Sequence, residues 1–155
     1  MGLISIESRD GIAVVRIDRP PANAMSPELL EEGAAVLDTL ARDEPRAVVL
    51  TGRPGFFSAG ADLKLIPTLD ASGQRRMVEG INRIFGAWYG FPRPVVAAVN
   101  GHAIAGGMVL ALCADHRVGS TEGRYGLTEV AVDVPYPAAA AGASSVRTTA
   151  AAAAG

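Results

Sequence analysis

The fold class follows from the stretch Ala47-Val48-Val49-Leu50-Thr51, which is apolar without alternation and ends at Gly52. Such a run is typical of a strand that is covered on both of its faces. The run from Val95 to Val99, which follows Pro94, predicts another strand. Helical patterns alternate with these strands along the chain, and that alternation predicts an α/β fold.

Two elements are predicted near the amino terminus. Apolar and β-branched residues on either side of the turn dipeptide Asp10-Gly11 predict a hairpin. Ser26-Pro27-Glu28 then combines an N-cap residue, a proline suited to the first helical turn and an early acid. Small and apolar residues follow at helical spacing: Leu29, Gly33, Val36, Leu37 and Leu40. This pattern predicts an amphipathic helix.

A second amphipathic helix and a buried helix are predicted further along. The apolar stripe of the second helix consists of Met77, Ile81, Ile84, Phe85 and Trp88. Pro92 and Pro94 end that helix. Residues 101–105 are interpreted as a turn of small residues, and residues 107–114, which are apolar throughout, as a helix buried on all sides. A short strand is predicted around Arg117-Val118.

Composition excludes several classes of protein. The 155 residues carry a formal net charge of −2, which fits a single domain. The basic residues are scattered, so neither nucleic acid nor an anionic membrane surface is indicated as a partner. Cys113 is the only cysteine, which excludes an intramolecular disulfide and favours a reducing, cytoplasmic setting. We expect no membrane segment, because no stretch reaches roughly 18 uninterrupted apolar residues.

The last segment, residues 138–155, differs from the rest of the chain. It is mostly alanine with a few Ser, Thr and Gly and the single basic residue Arg147. It has no periodic large apolar side chains to pack, and short isolated helices are marginal in water. We therefore expect a core over residues 1–137 and a weakly ordered, low-complexity alanine-rich tail over residues 138–155.

Two loops contain glycines in settings that suit ligand binding. The first is Phe56-Phe57-Ser58-Ala59-Gly60-Ala61-Asp62-Leu63-Lys64. Gly60 can adopt dihedral angles closed to other residues, and Ala61 leaves its N–H uncovered by any bulky side chain. Taken alone, the same segment is compatible with an ordinary glycine loop in which Asp62 caps a helix.

The second loop, Val99-Asn100-Gly101-His102-Ala103-Ile104-Ala105-Gly106-Gly107-Met108-Val109, leads into the start of the predicted buried helix. A helix start offers unpaired N–H donors and the positive end of the macrodipole, so it favours an oxygen that gains negative charge. Close packing of the helix through Gly106 and Gly107 is the alternative interpretation of the same glycines.

Together, in this order and at this separation, the two loops resemble those of the crotonase, or enoyl-CoA hydratase/isomerase, family. The segments that carry the resemblance are Ser58-Ala59-Gly60-Ala61-Asp62-Leu63-Lys64, Asn100-Gly101-His102-Ala103-Ile104-Ala105-Gly106-Gly107, Arg19-Pro20-Pro21-Ala22-Asn23-Ala24-Met25-Ser26 and Tyr125-Gly126-Leu127-Thr128-Glu129. The resemblance covers roughly residues 3 to 137. It implies a crotonase-like spiral of ββα units, incomplete here because members of the family run on well beyond this length.

The resemblance also implies roles for individual residues. The backbone N–H groups of Ala61 and Gly106 would form an oxyanion hole for the thioester oxygen of an acyl-CoA substrate. The acyl-CoA groove would be lined by Ala22, Ala24, Asp62, Leu63 and Lys64. CoA would enter as part of the substrate, with no separate cofactor and no metal. Full-length relatives are expected to form a homo-trimer or a dimer of trimers.

The reaction depends on the number of active-site glutamates. Hydratases of the family resemble one another in having one glutamate three residues after the glycine donor of the second loop and one downstream. Here the first position is Val109, which can neither orient nor polarise a water, and the second is Glu129. A single glutamate resembles the pattern of 3-enoyl-CoA to 2-enoyl-CoA isomerases, in which Glu129 would move a proton from C2 to C4. Hydratase activity is the alternative; without this context Glu129 would be interpreted as a solvated surface acid.

The remaining polar candidates have simpler interpretations. His102 is interpreted as a turn histidine or a half-buried, hydrogen-bonded one. His116 and Cys113 have no partners at ligand spacing, so no metal site is predicted. Asp133 stands where members of the family usually have a glycine, four residues after the glutamate. Aspartate tolerates a left-handed backbone less well than glycine, so we expect it to alter the setting of Glu129. The alternative is that Asp133 is a second carboxylate in the site, which would alter the protonation of both groups.

The change in composition at Ala138 supports a rival hypothesis. Members of the family continue with helices that close the acyl pocket and build trimer contacts, and this chain has alanine-rich sequence instead. That change suggests a frameshifted or truncated reading frame. The rival hypothesis is therefore a non-catalytic fragment that turns no substrate over.

Overall fold

The computed structural model describes residues 2–128, in which eight strands and three α-helices form. In chain order the elements are β1 (Ile4–Arg9), β2 (Ile12–Ile17), α1 (Pro27–Asp43), β3 (Ala47–Thr51), β4 (Gly55–Ser58), α2 (Ala71–Tyr89), β5 (Val95–Val99), β6 (Gly101–Ile104), α3 (Gly106–Cys113), β7 (His116–Gly119) and β8 (Tyr125–Gly126). A 3₁₀-helix (Ile66–Thr68) lies between β4 and α2.

The strands form two sheets that the chain visits in turn. The larger sheet has the order β1-β2-β3-β5-β7, and the smaller sheet has the order β4-β6-β8. Strands β1 and β2 form an antiparallel hairpin, and all other pairs are parallel. After α1 the chain twice adds one strand to the larger sheet, one strand to the smaller sheet and then a helix. The first repeat is β3, β4 and α2, and the second is β5, β6 and α3; β7 and β8 follow. The predicted α/β class and spiral of ββα units are confirmed.

The hydrophobic core joins the helices to the larger sheet and includes Phe57 and Ala103 of the smaller sheet. Every position of the two predicted helical stripes is buried: Leu29, Gly33, Val36, Leu37 and Leu40 in α1, and Met77, Ile81, Ile84, Phe85 and Trp88 in α2. Burial of each large apolar side chain contributes roughly 1.5–3 kcal/mol. Ser26 caps α1 as predicted, since its side chain accepts from the Leu29 N–H. Asp70 caps α2, and the hydrogen bond from the Gly73 N–H lowers the pKa of its carboxyl.

The smaller sheet is the part of the fold that the sequence interpretation missed. Residues 101–105, interpreted as a turn, contain strand β6, and three of the four residues of β4 fall in the first predicted loop. These strands have four residues each, and both begin at glycine. The glycines allow backbones to touch: a Cβ on Gly101 would lie 2.1 Å from the carbonyl carbon of Gly55. Their small residues therefore reflect close strand pairing, not a turn.

Several predictions fall on residues 129–155, outside the described range. They concern Glu129, Asp133 and the alanine-rich tail, and the boundary at residue 137 stays a prediction. Among the described helices, none combines the length and apolar character needed to cross a bilayer.

Candidate functional site

The two predicted loops meet in the structure, at Gly60 and Gly106. A Cβ on Gly60 would lie 2.8 Å from the Gly106 nitrogen and 3.0 Å from the Ala105 Cβ. Gly60 also has a φ of +81°, a conformation that L side chains rarely adopt. Only glycine therefore fits at this contact. Because Ala61 follows Gly60 directly, the contact brings the amides of Ala61 and Gly106 into the same region.

The Ala61 N–H points away from the strand-like segment beside it. Ala61 forms a parallel bridge with Met25, in which the Met25 N–H donates to the Gly60 carbonyl at 2.7 Å and the Asp62 N–H donates to the Met25 carbonyl at 2.9 Å. Successive N–H groups of an extended segment point to opposite edges. Accordingly, the hydrogen bonds within residues 2–128 provide no acceptor for the Ala61 N–H.

The Gly106 N–H stands at the start of α3, where the first amides have no acceptor in their own helix. The preceding residue, Ala105, has a φ of 52° and a ψ of −126°. Such a conformation costs an alanine about 1–3 kcal/mol and persists only where the surroundings impose it. One restraint is the hydrogen bond from the Ala105 N–H to the Gly126 carbonyl at 2.8 Å. Across the described range no hydrogen bond uses the Gly106 N–H.

The packing alternative applies to one of the two adjacent glycines. A Cβ on Gly107 would lie 2.0 Å from the Ser58 carbonyl oxygen, so α3 approaches β4 through backbone contact. A Cβ on Gly106 would meet nothing closer than the Gly60 Cα at 3.4 Å, which is ordinary van der Waals contact. Packing thus requires Gly107 but does not require Gly106.

The side chain of Asn23 holds the first loop, a role that the sequence did not predict. Asn23 is fully buried, and its amide nitrogen donates to the carbonyl oxygens of Ile17, Phe56 and Phe57 at 2.9–3.1 Å. Its side-chain oxygen accepts from the Arg19 N–H at 2.7 Å. Asn23 also has a φ of 52°, a region that asparagine tolerates better than most residues.

The five predicted groove residues lie on two adjacent segments. Ala22 and Ala24 flank Asn23, while Asp62, Leu63 and Lys64 follow Ala61, and the Met25–Ala61 bridge joins the segments. Ala22, Ala24 and Asp62 are half-buried, and Leu63 and Lys64 are exposed. The side chain of Leu63 is apolar, yet the residue is 69% exposed. The structure therefore places all five residues on two adjacent segments, one of which also contains the Ala61 amide.

Asp62 supports the loop through both of its carboxylate oxygens. One oxygen lies 3.0 Å from the Arg19 guanidinium, and the side chains are 17% and 23% exposed. The other accepts from the N–H groups of Lys64 and Leu65 at 3.2 Å. The predicted capping role of Asp62 is therefore present, although it caps a turn and not an α-helix.

Of the two positions at which hydratases of the family have a glutamate, the structure describes only position 109. Val109, three residues after Gly106, is 1% exposed and belongs to the hydrophobic core. Glu129 lies outside the described residues.

His102 accepts from the Arg124 N–H through Nδ1 at 3.0 Å, and its ring packs edge-on against Phe56. This agrees with its structural interpretation. Within residues 2–128 no group of three His, Cys, Asp or Glu side chains could hold a metal ion.

Two amides that have no acceptor among residues 2–128, supplied by separate loops, can hydrogen-bond a single oxygen that develops negative charge. A sequence profile described as enoyl-CoA hydratase/isomerase matches residues 7–153. The chain belongs to this family. It is 44% identical to a putative enoyl-CoA hydratase of Thermus thermophilus over 126 residues, and the matched stretch makes up 78% of this chain and 50% of that relative. A probable enoyl-CoA hydratase of Bacillus subtilis is 34% identical over 132 residues, or 84% of this chain and 51% of the relative.

Solved structures give the same result for the fold. DspI of Pseudomonas aeruginosa superposes on this chain with a TM-score of 0.82 at 33% identity. The superposed region spans 92% of this chain and 58% of the DspI chain. A probable enoyl-CoA hydratase of Mycobacterium tuberculosis gives 0.83 at 35% identity, with coverages of 89% and 58%. The crotonase fold is thereby confirmed, in incomplete form. The chain spans about half the length of the curated relatives it matches.

Proposed function

We propose that this chain binds an acyl-CoA thioester and stabilises its enolate with the N–H groups of Ala61 and Gly106. The observation that supports this most is the contact between Gly60 and Gly106, which brings together two amides that have no acceptor within residues 2–128. Removal of a proton next to a thioester places negative charge on the carbonyl oxygen. Two fixed donors stabilise that oxygen more than the ground-state carbonyl, and loss of one such donor typically costs about 3 kcal/mol.

The acyl-CoA groove in this proposal runs along the segments that flank the two amides. Its residues are Ala22, Ala24, Asp62, Leu63 and Lys64. The small side chains of the two alanines let a ligand approach the backbone, and exposed Leu63 offers an apolar contact. Asp62 acts mainly through the loop, since Arg19 and two backbone amides engage its carboxylate. CoA belongs to the substrate, and neither a separate cofactor nor a metal takes part.

The proposed reaction is isomerisation of 3-enoyl-CoA to 2-enoyl-CoA. Hydration would need an acid or base at position 109, and that position holds a valine that is 1% exposed in the core. Isomerisation needs one base: Glu129 removes a proton from C2, the two amides hold the dienolate, and the protonated carboxyl returns the proton to C4. We also propose a cytoplasmic location for this chain, and a homo-trimer or a dimer of trimers for its full-length relatives.

Hydratase activity is the second candidate, and the descriptions of the relatives favour it. The curated relatives named above are described as enoyl-CoA hydratases. The Mycobacterium tuberculosis protein named above as a probable enoyl-CoA hydratase is described in a second structure as an enoyl-CoA isomerase, and that structure superposes with a TM-score of 0.78 at 34% identity. The descriptions of relatives therefore do not separate the two activities, and the residue at position 109 favours the isomerase.

The test compares two substrates with the purified 155-residue chain. We expect 3-hexenoyl-CoA to be isomerised faster than crotonyl-CoA is hydrated, and the opposite order would refute the argument from Val109. Glu129→Gln should abolish isomerisation and leave acyl-CoA affinity near that of the wild type. Glu122→Gln, at an exposed acid, is the matched control and should change neither. An unaffected rate in Glu129→Gln would remove Glu129 from the mechanism.

A further inference from the structure

Ser58 belongs to the first loop and contacts the second, and each of these loops contains one amide that has no acceptor within residues 2–128. It is the last residue of β4, and it is 1% exposed. Gly60, on one side, directly precedes Ala61. Gly107, on the other side, directly follows Gly106. Ser58 contacts both of these glycines, so it is one residue removed from each amide.

The Ser58 hydroxyl fixes the Gly60 side of the site. Its oxygen accepts from the Gly60 N–H at 3.2 Å, and its hydrogen is donated to the Asn23 carbonyl at 2.8 Å. Asn23 is itself fully buried and hydrogen-bonded to β4. Glycine has little conformational preference of its own, so the direction of the next peptide plane depends on such external bonds. The hydroxyl therefore supplies the rigidity that Gly60 lacks.

The Ser58 main chain fixes the Gly106 side. The ideal Cβ position of Gly107 lies 2.0 Å from the Ser58 carbonyl oxygen and 2.9 Å from the Ser58 Cβ. The first turn of α3 is therefore in direct contact with Ser58. A displacement of Ser58 would move the start of α3, and with it the Gly106 N–H.

We propose that Ser58 is a positioning residue that sets the separation and direction of the Ala61 and Gly106 amides. Its catalytic consequence rests on the proposed function, whereas its effect on the two amides does not. A displacement of about 1 Å at a catalytic group can cost on the order of 100-fold in rate. Ser58 touches no substrate in this proposal and acts through Gly60 and Gly107.

Ser58→Ala tests the proposal, with Thr51→Val as the matched control. Thr51 is 6% exposed, and its hydroxyl donates to the Ala98 carbonyl at 2.8 Å. Each variant thus loses one buried hydroxyl that is bonded to a backbone carbonyl. Thr51 lies at the end of β3 and has no hydrogen bond to either loop. Spectra of the full chain labelled with ¹⁵N-alanine and ¹⁵N-glycine follow the Ala61 and Gly106 amides directly.

Ser58→Ala should move or broaden both amide resonances and lower kcat for 3-hexenoyl-CoA by about 10- to 100-fold, with KM within about twofold of the wild type. Thr51→Val should leave both resonances and kcat unchanged. Ser58→Cys, which keeps a weaker donor and acceptor, should fall between serine and alanine and provides a test if the alanine variant does not fold.

Unchanged amide resonances in Ser58→Ala, or equal changes in Thr51→Val, would overturn the proposal. A cysteine variant that changes the resonances more than alanine does would also overturn it. If the wild-type chain turns over no substrate, the proposed function fails, and the resonances still decide the role of Ser58.

Discussion

The two amide-bearing loops are held in place by different means. Around Ala61 the backbone bridge to Met25 is reinforced by side chains, chiefly the buried amide of Asn23 and the Arg19–Asp62 ion pair. Around Gly106 they are backbone features: the positive φ of Ala105 and the contact between Gly107 and the Ser58 carbonyl. Side-chain restraints can be removed one at a time, because each contributes a limited free energy. Backbone contacts leave no room for a substituent, so a single methyl group should affect the whole site.

The largest effect is expected for Gly107→Ala. The added Cβ would lie 2.0 Å from a backbone oxygen that cannot move like a side chain. Overpacking of this kind costs about 3 kcal/mol or more in the free energy of unfolding, measured by urea denaturation. Gly106→Ala is the matched control, since its Cβ would meet nothing closer than 3.4 Å. Equal losses in the two variants would show that α3 does not depend on the Ser58 contact.

Asn23→Ala tests the side-chain restraint and should cost about 2 kcal/mol, because it leaves buried carbonyl groups without a donor. Asn100→Ala is the control. Asn100 also donates to two carbonyls, those of Gly52 and Arg53, and accepts from the Gly52 N–H. It is only half-buried, so water can replace these bonds and the loss should be smaller. If the two variants lose the same free energy of unfolding, burial of Asn23 is not what stabilises the first loop.

The same contrast explains which parts of the fold the sequence predicts. The helices and the larger sheet are predictable because burial imposes apolar periodicity, as at Met77 and Ile81. The smaller sheet is not, since β4 and β6 have four residues each and begin at glycines that serve backbone contact. Segments this short that begin at glycine are readily interpreted as turns or loops.

In the candidate site, too, the sequence predicts the roles of some residues and not of others. Gly60 and Gly106 could be selected from sequence because glycines in a loop and at a helix start indicate where a backbone can be approached. The roles of Asn23 and Ser58 could not, because their hydrogen bonds join residues 33–35 positions apart. No local pattern encodes a polar contact over that distance.

Ala105→Gly should have the opposite sign from the first two changes. Glycine adopts a φ of 52° without the steric cost that alanine carries, so the variant should gain about 1 kcal/mol in the free energy of unfolding. Ala103→Gly is the control: Ala103 lies in β6 and is fully buried, so this variant should lose stability. If Ala105→Gly also lowers the free energy of unfolding, the backbone of Ala105 is not strained in the wild-type chain.

The smallest effect is expected from the Arg19–Asp62 ion pair, which a double-mutant cycle isolates. Arg19→Met removes the positive charge of the guanidinium. Asp62→Asn removes the negative charge but keeps an oxygen that can accept from the backbone N–H groups of Lys64 and Leu65. The coupling free energy should be about 0.5 kcal/mol and should fall as salt is added, because both side chains are partly exposed.

The control for this cycle is the Arg9–Glu7 pair, whose side chains are 68% and 61% exposed. We expect no measurable coupling there, since solvent screens the charges and the pair joins residues of one strand only. Equal coupling in the two cycles would mean that the Arg19–Asp62 pair does not hold the Ala61 loop. Asn23 and Ser58 would then carry the side-chain part of the contrast between the loops.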